Sequence, residues 1–450
     1  MIGRESLSLL SRNHDFRRFV AGQFVTNAGD SLYTVAVLWL VYELSGSTTL
    51  TGITSAILLL PWLLQILAGP VVDRLPLRSL LVGSQLVQGV VVLVLPLAAV
   101  TGQTSVGVVF AVVPVLTLAT LVMAPMQATL VPRLVADGRL SRANAVLATV
   151  TLGLDMVFDA LGGAVVALFG TTTLFLVDAG TFGLAGLLFA RIGIPPADSD
   201  RSEATSDAAP GTATDTSTVA DAETRTERSL VSVLDSYRAD LRVGIDALRG
   251  SVFVELVGLT ALANLATGVT LAVLPAVGAS LGGPLFYGLL LGALGVGRLV
   301  GSVLAPRLEA VPYGRVALVG NLLTAVSWLA AVVAPSPTLT VLLFGLAWVP
   351  PGVNGVLTAT LNQTVFPSDL LARVSSVKGT ASGATLPLGS LVGGVVAETL
   401  GTTTTMALAA GGFGLAGVAV LLRVRLRRLP SVAEADAAAF EVTLPPSPEE

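Results

Sequence analysis

The chain has no cysteine, one histidine and one lysine in 450 residues. Without cysteine there is no disulfide, no thiolate metal site and no cysteine nucleophile. His14 precedes the first long apolar run, which excludes histidine catalysis or metal binding within those runs. The only lysine, Lys378, does not follow a glycine-rich phosphate loop, so ATP hydrolysis is not indicated. Charge is scarce too: 12% of residues are charged, where a soluble domain carries roughly 25%. Hydrophobic residues make up 53% and the mean hydropathy is +0.83. So few charges cannot cover a water-facing surface for a chain this long. Composition leaves a polytopic membrane protein.

A helix needs roughly 20 apolar residues to cross about 30 Å of hydrocarbon. Twelve runs meet that need. Six are Val20–Tyr42, Leu50–Val72, Leu80–Val100, Val106–Met126, Ala145–Leu168 and Thr172–Ala190. Six more are Val252–Leu274, Leu285–Leu304, Val316–Val333, Leu339–Leu361, Thr380–Val396 and Thr404–Leu422. The alternating ten-residue pattern of barrel strands is absent, so the fold expected is all-α. The first run lacks a short core ending in a small-residue cleavage site and reads as a retained span.

Basic residues orient the spans. Placing twelve spans puts 24 of the 25 Lys and Arg residues in loops on one side, and only Arg298 falls inside a span. The positive-inside rule then places both termini in the cytoplasm of a cell membrane. The halves echo each other. Asp73 matches Ala305, Pro132 matches Pro367 and Asn27 matches Asn264, at offsets of 232, 235 and 237 residues. The pattern predicts two pseudo-symmetric six-helix bundles, 1–190 and 250–428, packed around a midplane site. Between them, 191–228 is acidic, rich in Thr, Ser and Ala, and reads as a disordered linker. Leu230, Leu234, Tyr237, Leu241, Ile245 and Leu248 recur at spacings of three and four, predicting an amphipathic helix over 229–249 on the membrane surface. The acidic tail, 429–450, reads as disordered.

Gly69, Asp73, Arg74 and Arg78, after the second run, resemble the loop signature of the major facilitator superfamily, with Pro76 where the family usually has Gly. The stretch Gln127 to Pro132 with Arg133 and Asn144, and Asn362-Gln363 with Pro367 and Arg373, resemble the branch that contains the enterobactin exporter and the macrolide efflux pumps. The resemblance runs from about Asp15 to Arg428 and implies a secondary transporter, not an enzyme, working by alternating access. It also implies that Asp73, capping a helix N-terminus, and Arg74 and Arg78, bonding helix C-termini or acids, latch the cytoplasmic side. Arg78 reads equally as a topology signal. Family members with an antiporter signature in span five carry Gly-Pro before a Gly pair; here Phe158-Asp159 stands in that place before Gly162-Gly163.

Charges inside the bilayer cost about 2.5–3.5 kcal/mol each on insertion scales, so each needs a reason. Asp30, Asp155, Asp159 and Arg298 lie on helices that flank the central cavity in this fold, and are the candidates for proton coupling or substrate binding. Asp155 and Asp159 are four apart on one helix face, where two carboxylates do not both ionise cheaply and one is expected to hold a proton. Arg298 is expected to pair with one of them, either as a switch or as a permanent bridge. Asp178, on a helix that is peripheral in this fold, reads as structural. Asn27, Asn264 and Asn354 are polar candidates for the cavity wall. The expected function is efflux of a hydrophobic or amphipathic small molecule in exchange for protons, or for sodium. Uptake by symport and a non-transporting sensor or scaffold are the alternatives. No cofactor, metal or nucleic-acid partner is expected, and the chain is expected to act as a monomer in the bilayer.

Overall fold

The computed structural model describes residues 10–11, 13–64, 76–135, 139–194, 239 and 241–442. Those residues are helical throughout the apolar runs. The N-terminal half contains α1 (His14–Ser45), α2 (Thr48–Leu59), α3 (Leu77–Val100), α4 (Val106–Leu134), α5 (140–169) and α6 (171–190). The C-terminal half contains α7 (Val252–Leu281), α8 (Pro284–Leu308), α9 (Tyr313–Val332), α10 (Pro337–Val365), α11 (Arg373–Leu400) and α12 (Thr402–Leu422).

Local chemistry sets where these helices begin and end. The Oδ1 of Asn13 accepts from the Phe16 N–H at the start of α1, and Ser47 caps α2 in the same way through the Leu50 N–H. α5 and α6 run on without a loop and are separated only by Gly170, whose φ of 78° and ψ of 168° no helix contains. Among the described residues ten helices are long and apolar enough to span a membrane when α5 and α6 count as one, and α2 is a shorter apolar helix. The architecture is thus the expected polytopic fold of twelve helices in two bundles.

The helix ends define two faces. One carries the arginines that flank the spans and is called the basic face here; the other is the opposite face. Toward the opposite face a single apolar core runs through both bundles, joining Val35, Trp39 and Phe175 to Tyr287, Trp328 and Phe413. Toward the basic face the core divides. Phe16, Phe19, Leu81, Met126 and Phe189 fill one cluster in the N-terminal bundle, and Phe253, Leu357, Phe366 and Phe440 fill another in the C-terminal bundle. The bundles are therefore fused at one face and split at the other.

The two most extensive helix pairs at the junction are α5 with α8 and α2 with α11; α7 also packs on α2, and Trp39 of α1 stacks on Tyr287 of α8. Adding six to each helix number exchanges these two pairs, so they have the symmetry of the sequence repeat. Both rely on small residues that let backbones approach. A Cβ on Gly163 would lie 2.4 Å from the Gly288 Cα, and one on Gly52 would lie 3.0 Å from the Gly394 Cα. Ser55 and Ser390 bond across the α2–α11 seam at 3.1 Å, and the Thr48 hydroxyl donates to the Gly394 carbonyl at 2.9 Å. At its outer end the Glu398 carboxylate accepts from Ser47, Thr48 and the Thr49 N–H at the exposed N-terminus of α2.

Two expectations change. The tail is not disordered as far as Val442: the Phe440 ring is fully buried against Phe253, 5.2 Å between centroids, and its carbonyl accepts from the Val252 N–H. Arg425 fastens it through Glu441 and the Gly250 carbonyl. The reading of this acidic tail as disordered missed that Phe440 and Val442 supply enough apolar surface to close the base of the C-terminal bundle. The amphipathic helix is described only at residue 239 and over 241–248, where Gly244 packs on Arg373 and Val377 of α11 and Ala247 and Leu248 join the core of the C-terminal bundle. Ile245, expected on the apolar stripe, points away and is exposed.

Candidate functional site

A cavity of about 960 Å3 lies where the bundles split. Its wall runs from the basic-face ends of α7, α9, α10 and α11 to mid-helix residues such as Leu271, Trp348 and Phe413. Apart from Leu59 of α2, all the described residues lining it belong to the C-terminal half. Asn264 and Asn354, expected here, do line it. The Asn264 amide donates to the Ser382 carbonyl at 2.9 Å, tying α7 to α11, while the Asn354 Oδ1 is buried with no hydrogen-bond partner among the described residues. Tyr313 bonds Thr358 at 2.8 Å across the mouth.

Arg298 also lines the cavity and is the only charged residue among the described ones that do. It sits past the middle of α8, one residue beyond Gly297, whose missing Cβ makes room for Trp348 and for the backbone of α10. The pairing expected with Asp159 is not made. Asp159 lies close enough to Tyr287 to interact electrostatically. Ala160, next to Asp159, packs on Gly292 of α8, six residues before Arg298, about 9 Å of helix rise. Among the described residues Arg298 has no ion-pair partner. The side chain of Asp155 lies outside the described residues, so its relation to Arg298 does too.

Asp30 belongs to a different surface. Gln23, Thr26, Asp30 and Tyr33 recur at three- and four-residue steps along one face of α1 that looks into the N-terminal bundle. Gln23 donates to Gln127 of α4 at 3.1 Å, and Thr26 donates to Gln85 of α3 at 3.1 Å. Beside Asp30, Gly29 packs so closely on α6 that a Cβ would fall 2.5 Å from the Asp178 Oδ1. Asp178 is completely buried, interacts electrostatically with Asp30 and accepts from the Thr181 hydroxyl at 3.3 Å. Tyr33 is within electrostatic reach of both acids, and its hydroxyl, like the Asp178 Oδ2, has no hydrogen-bond partner among the described residues. Sequence reasoning missed this cluster because it assigned Asp178 to a peripheral helix. The signal was present in Gly29, a gap in α1 that admits a neighbour from α6. Asn27 is half-buried on the same helix.

Of the loop signature, Gly69, Asp73 and Arg74 lie outside the described residues. Arg78 donates to the Ala190 carbonyl at the C-terminal end of α6, a contact within the N-terminal bundle and not between the halves. Arg18 caps the same end through the Arg191 carbonyl at 2.8 Å.

Two fused six-helix bundles split around a mid-membrane cavity make the framework of a secondary transporter. Residues 19–248, just over half of the chain, match the family model described as Major Facilitator Superfamily, and the chain belongs to that superfamily. Residues 230–446 match the model described as transmembrane secretion effector. The protein is a multi-pass membrane transporter and not an enzyme. No curated protein gives a match. Among solved structures, the nucleoside transporter NupG is 13% identical, with 90% of this chain and 98% of that one aligned at a TM-score of 0.64. A bacterial homologue of the human lysosomal transporter Spinster, inward-facing and occupied, is 12% identical over 96% and 98% of the two chains, also at 0.64. A peptide transporter of the POT family in complex with sulfate is 12% identical over 93% and 96%, at 0.62. At these identities the likeness concerns the fold.

Proposed function

We propose that this chain exports a hydrophobic or amphipathic small molecule across the cell membrane in exchange for protons, acting as a monomer with both termini in the cytoplasm. The observation that carries the reading is the divided core: the bundles are joined at the opposite face and separate at the basic face, with the cavity in the split. In the proposed orientation the cavity loads from the cytoplasm. The secretion-effector match over the C-terminal half supports export.

The N-terminal bundle supplies the coupling site. Asp178 is completely buried and half-buried Asp30 lies within electrostatic reach of it; two neighbouring carboxylates share a proton more cheaply than both carry charge. α1 carries Asp30, and the apolar core that joins the bundles at the opposite face includes α1 from Leu32 to Val41. A proton gained or lost at Asp30 thus acts on the helix that holds that face shut. Asp159 and Asp155 on α5 are further acids for the same task.

The test is accumulation of a broad drug and metabolite panel in a pump-deficient host, with the intact chain, Asp30→Asn and Asp159→Asn. Lower accumulation with the intact chain, lost on collapsing the proton gradient and in Asp30→Asn, is the expected result. Higher accumulation with the intact chain overturns export in favour of uptake. No change across the panel contradicts the proposed substrate class.

A further inference from the structure

We infer that the solute accepted by the cavity is an organic anion, with an apolar body and an oxyanion group seated on Arg298. The inference deepens the transport reading and rests on the cavity being its substrate site.

A guanidinium far from both helix ends is costly to place in a bilayer and is found with an ion-pair partner or facing a water-filled cavity; Arg298 is exposed and lines the cavity. Among the described residues Arg298 has no ion-pair partner, and no carboxylate is among those lining the cavity. The guanidinium is a donor only, and the group that would complement it in the cavity is an acceptor that carries negative charge. In the same cavity Leu259, Leu271, Leu386 and Phe413 give an apolar wall for the rest of the molecule. Of the described intramembrane acids, Asp30 and Asp178 belong to the interior of the N-terminal bundle and Asp159 is not among the residues lining the cavity. A cationic solute would meet like charge in this cavity, and a neutral one would displace water from the guanidinium without replacing its charge compensation. Planar guanidinium matches carboxylate and sulfonate with two parallel bonds, which an ammonium in its place would not do.

The test uses the purified full-length chain in detergent with no ion gradient, and three probes that share one apolar body: 4-phenylbutyrate, 4-phenylbutanol and 4-phenylbutylamine. Thermal unfolding is followed while each is titrated. The carboxylate is expected to raise Tm saturably and the alcohol and amine to do little. In Arg298→Gln the apparent affinity for the carboxylate falls at least about tenfold, since bonds to charged groups contribute about 1.5–3 kcal/mol. Arg298→Lys retains part of it. Equal shifts for the three probes, a larger shift for the amine, or unchanged carboxylate binding in Arg298→Gln overturns the inference. Where Arg298→Gln does not fold, the ranking of probes on the unaltered chain and on Arg298→Lys decides. Carboxylate binding in a chain that moves no solute in liposomes would sink the transport reading alone. Gradient-driven export of cations by a chain that ranks the amine first would sink this inference alone.

Discussion

Gly163 of α5 and Gly288 of α8 meet backbone to backbone: a Cβ on the first would lie 2.4 Å from the Cα of the second, and a Cβ on the second 2.5 Å from the Cα of the first. No side chain separates the bundles there. Gly163→Val therefore pushes α5 off α8 and disfavours the state closed at the opposite face. Overpacking of this kind costs about 1–3 kcal/mol, so solute flux in liposomes is expected to fall about tenfold or more, and less in Gly163→Ala. Gly180 is a control, because a Cβ there meets nothing within 4 Å. Flux in Gly180→Ala that falls as far as in Gly163→Val would contradict the account.

Asp30 and Asp178 are expected to behave as one unit. Asp30→Asn and Asp178→Asn should each reduce gradient-driven flux by about tenfold or more, and the double substitution should add little, as coupled neighbours do in a mutant cycle. Additive losses would mean that the two acids act separately. Exchange of substrate at equal pH on both sides is the control, and it should survive in all three variants.

The docked tail is a stability element. Phe440 is fully buried against Phe253, and large-to-small truncation of a buried phenylalanine costs about 3–5 kcal/mol. Phe440→Ala should lower the Tm of the purified protein by several degrees, measured by tryptophan fluorescence. Glu441→Gln, which removes only an exposed ion pair with Arg425, should change it little. Equal Tm values for Phe440→Ala and the unaltered chain would refute the packing role.

Glu398 is expected to hold the opposite face shut from outside the seam. Its carboxylate gathers Ser47, Thr48 and the Thr49 N–H at the start of α2. Glu398→Ala should increase several-fold the rate at which a single cysteine introduced at Ser390 reacts with a water-soluble maleimide. The chain has no native cysteine, so the signal has no background. An unchanged rate would show that the clasp does not gate access.

The helical fold was legible because apolar runs and flanking arginines are global signals that tertiary packing does not override. The twelve runs and their alternation came from those two patterns and the repeat from matched positions such as Pro132 and Pro367, and the paired α2–α11 and α5–α8 contacts are the three-dimensional form of the repeat. The site was less legible. Asp30, Asp159 and Arg298 could be singled out as charges in apolar runs, but which helix each one faces depends on rotation about the helix axis. In polar-lined bundles no single apolar stripe fixes that rotation. Arg298 thus looked like a partner for Asp155 or Asp159; no ion pair joins it to Asp159 among the described residues, and the side chain of Asp155 lies outside them. Asp178 was discounted for sitting on a peripheral helix, although Gly29 marked the place where α1 opens toward it. The tail was misread because its few aromatic and aliphatic residues are sparse in sequence and converge only in three dimensions, where Phe440 covers Phe253 at the start of α7.

The central claim is that the opposite face must open for solute to cross, and one pair of serines tests it. The Ser55 and Ser390 hydroxyls touch across the α2–α11 seam at 3.1 Å. In a Ser55→Cys/Ser390→Cys chain, copper phenanthroline should form a disulfide that arrests gradient-driven flux in liposomes, and dithiothreitol should restore it. Flux that continues with the cross-link quantitatively formed would contradict alternating access through this seam.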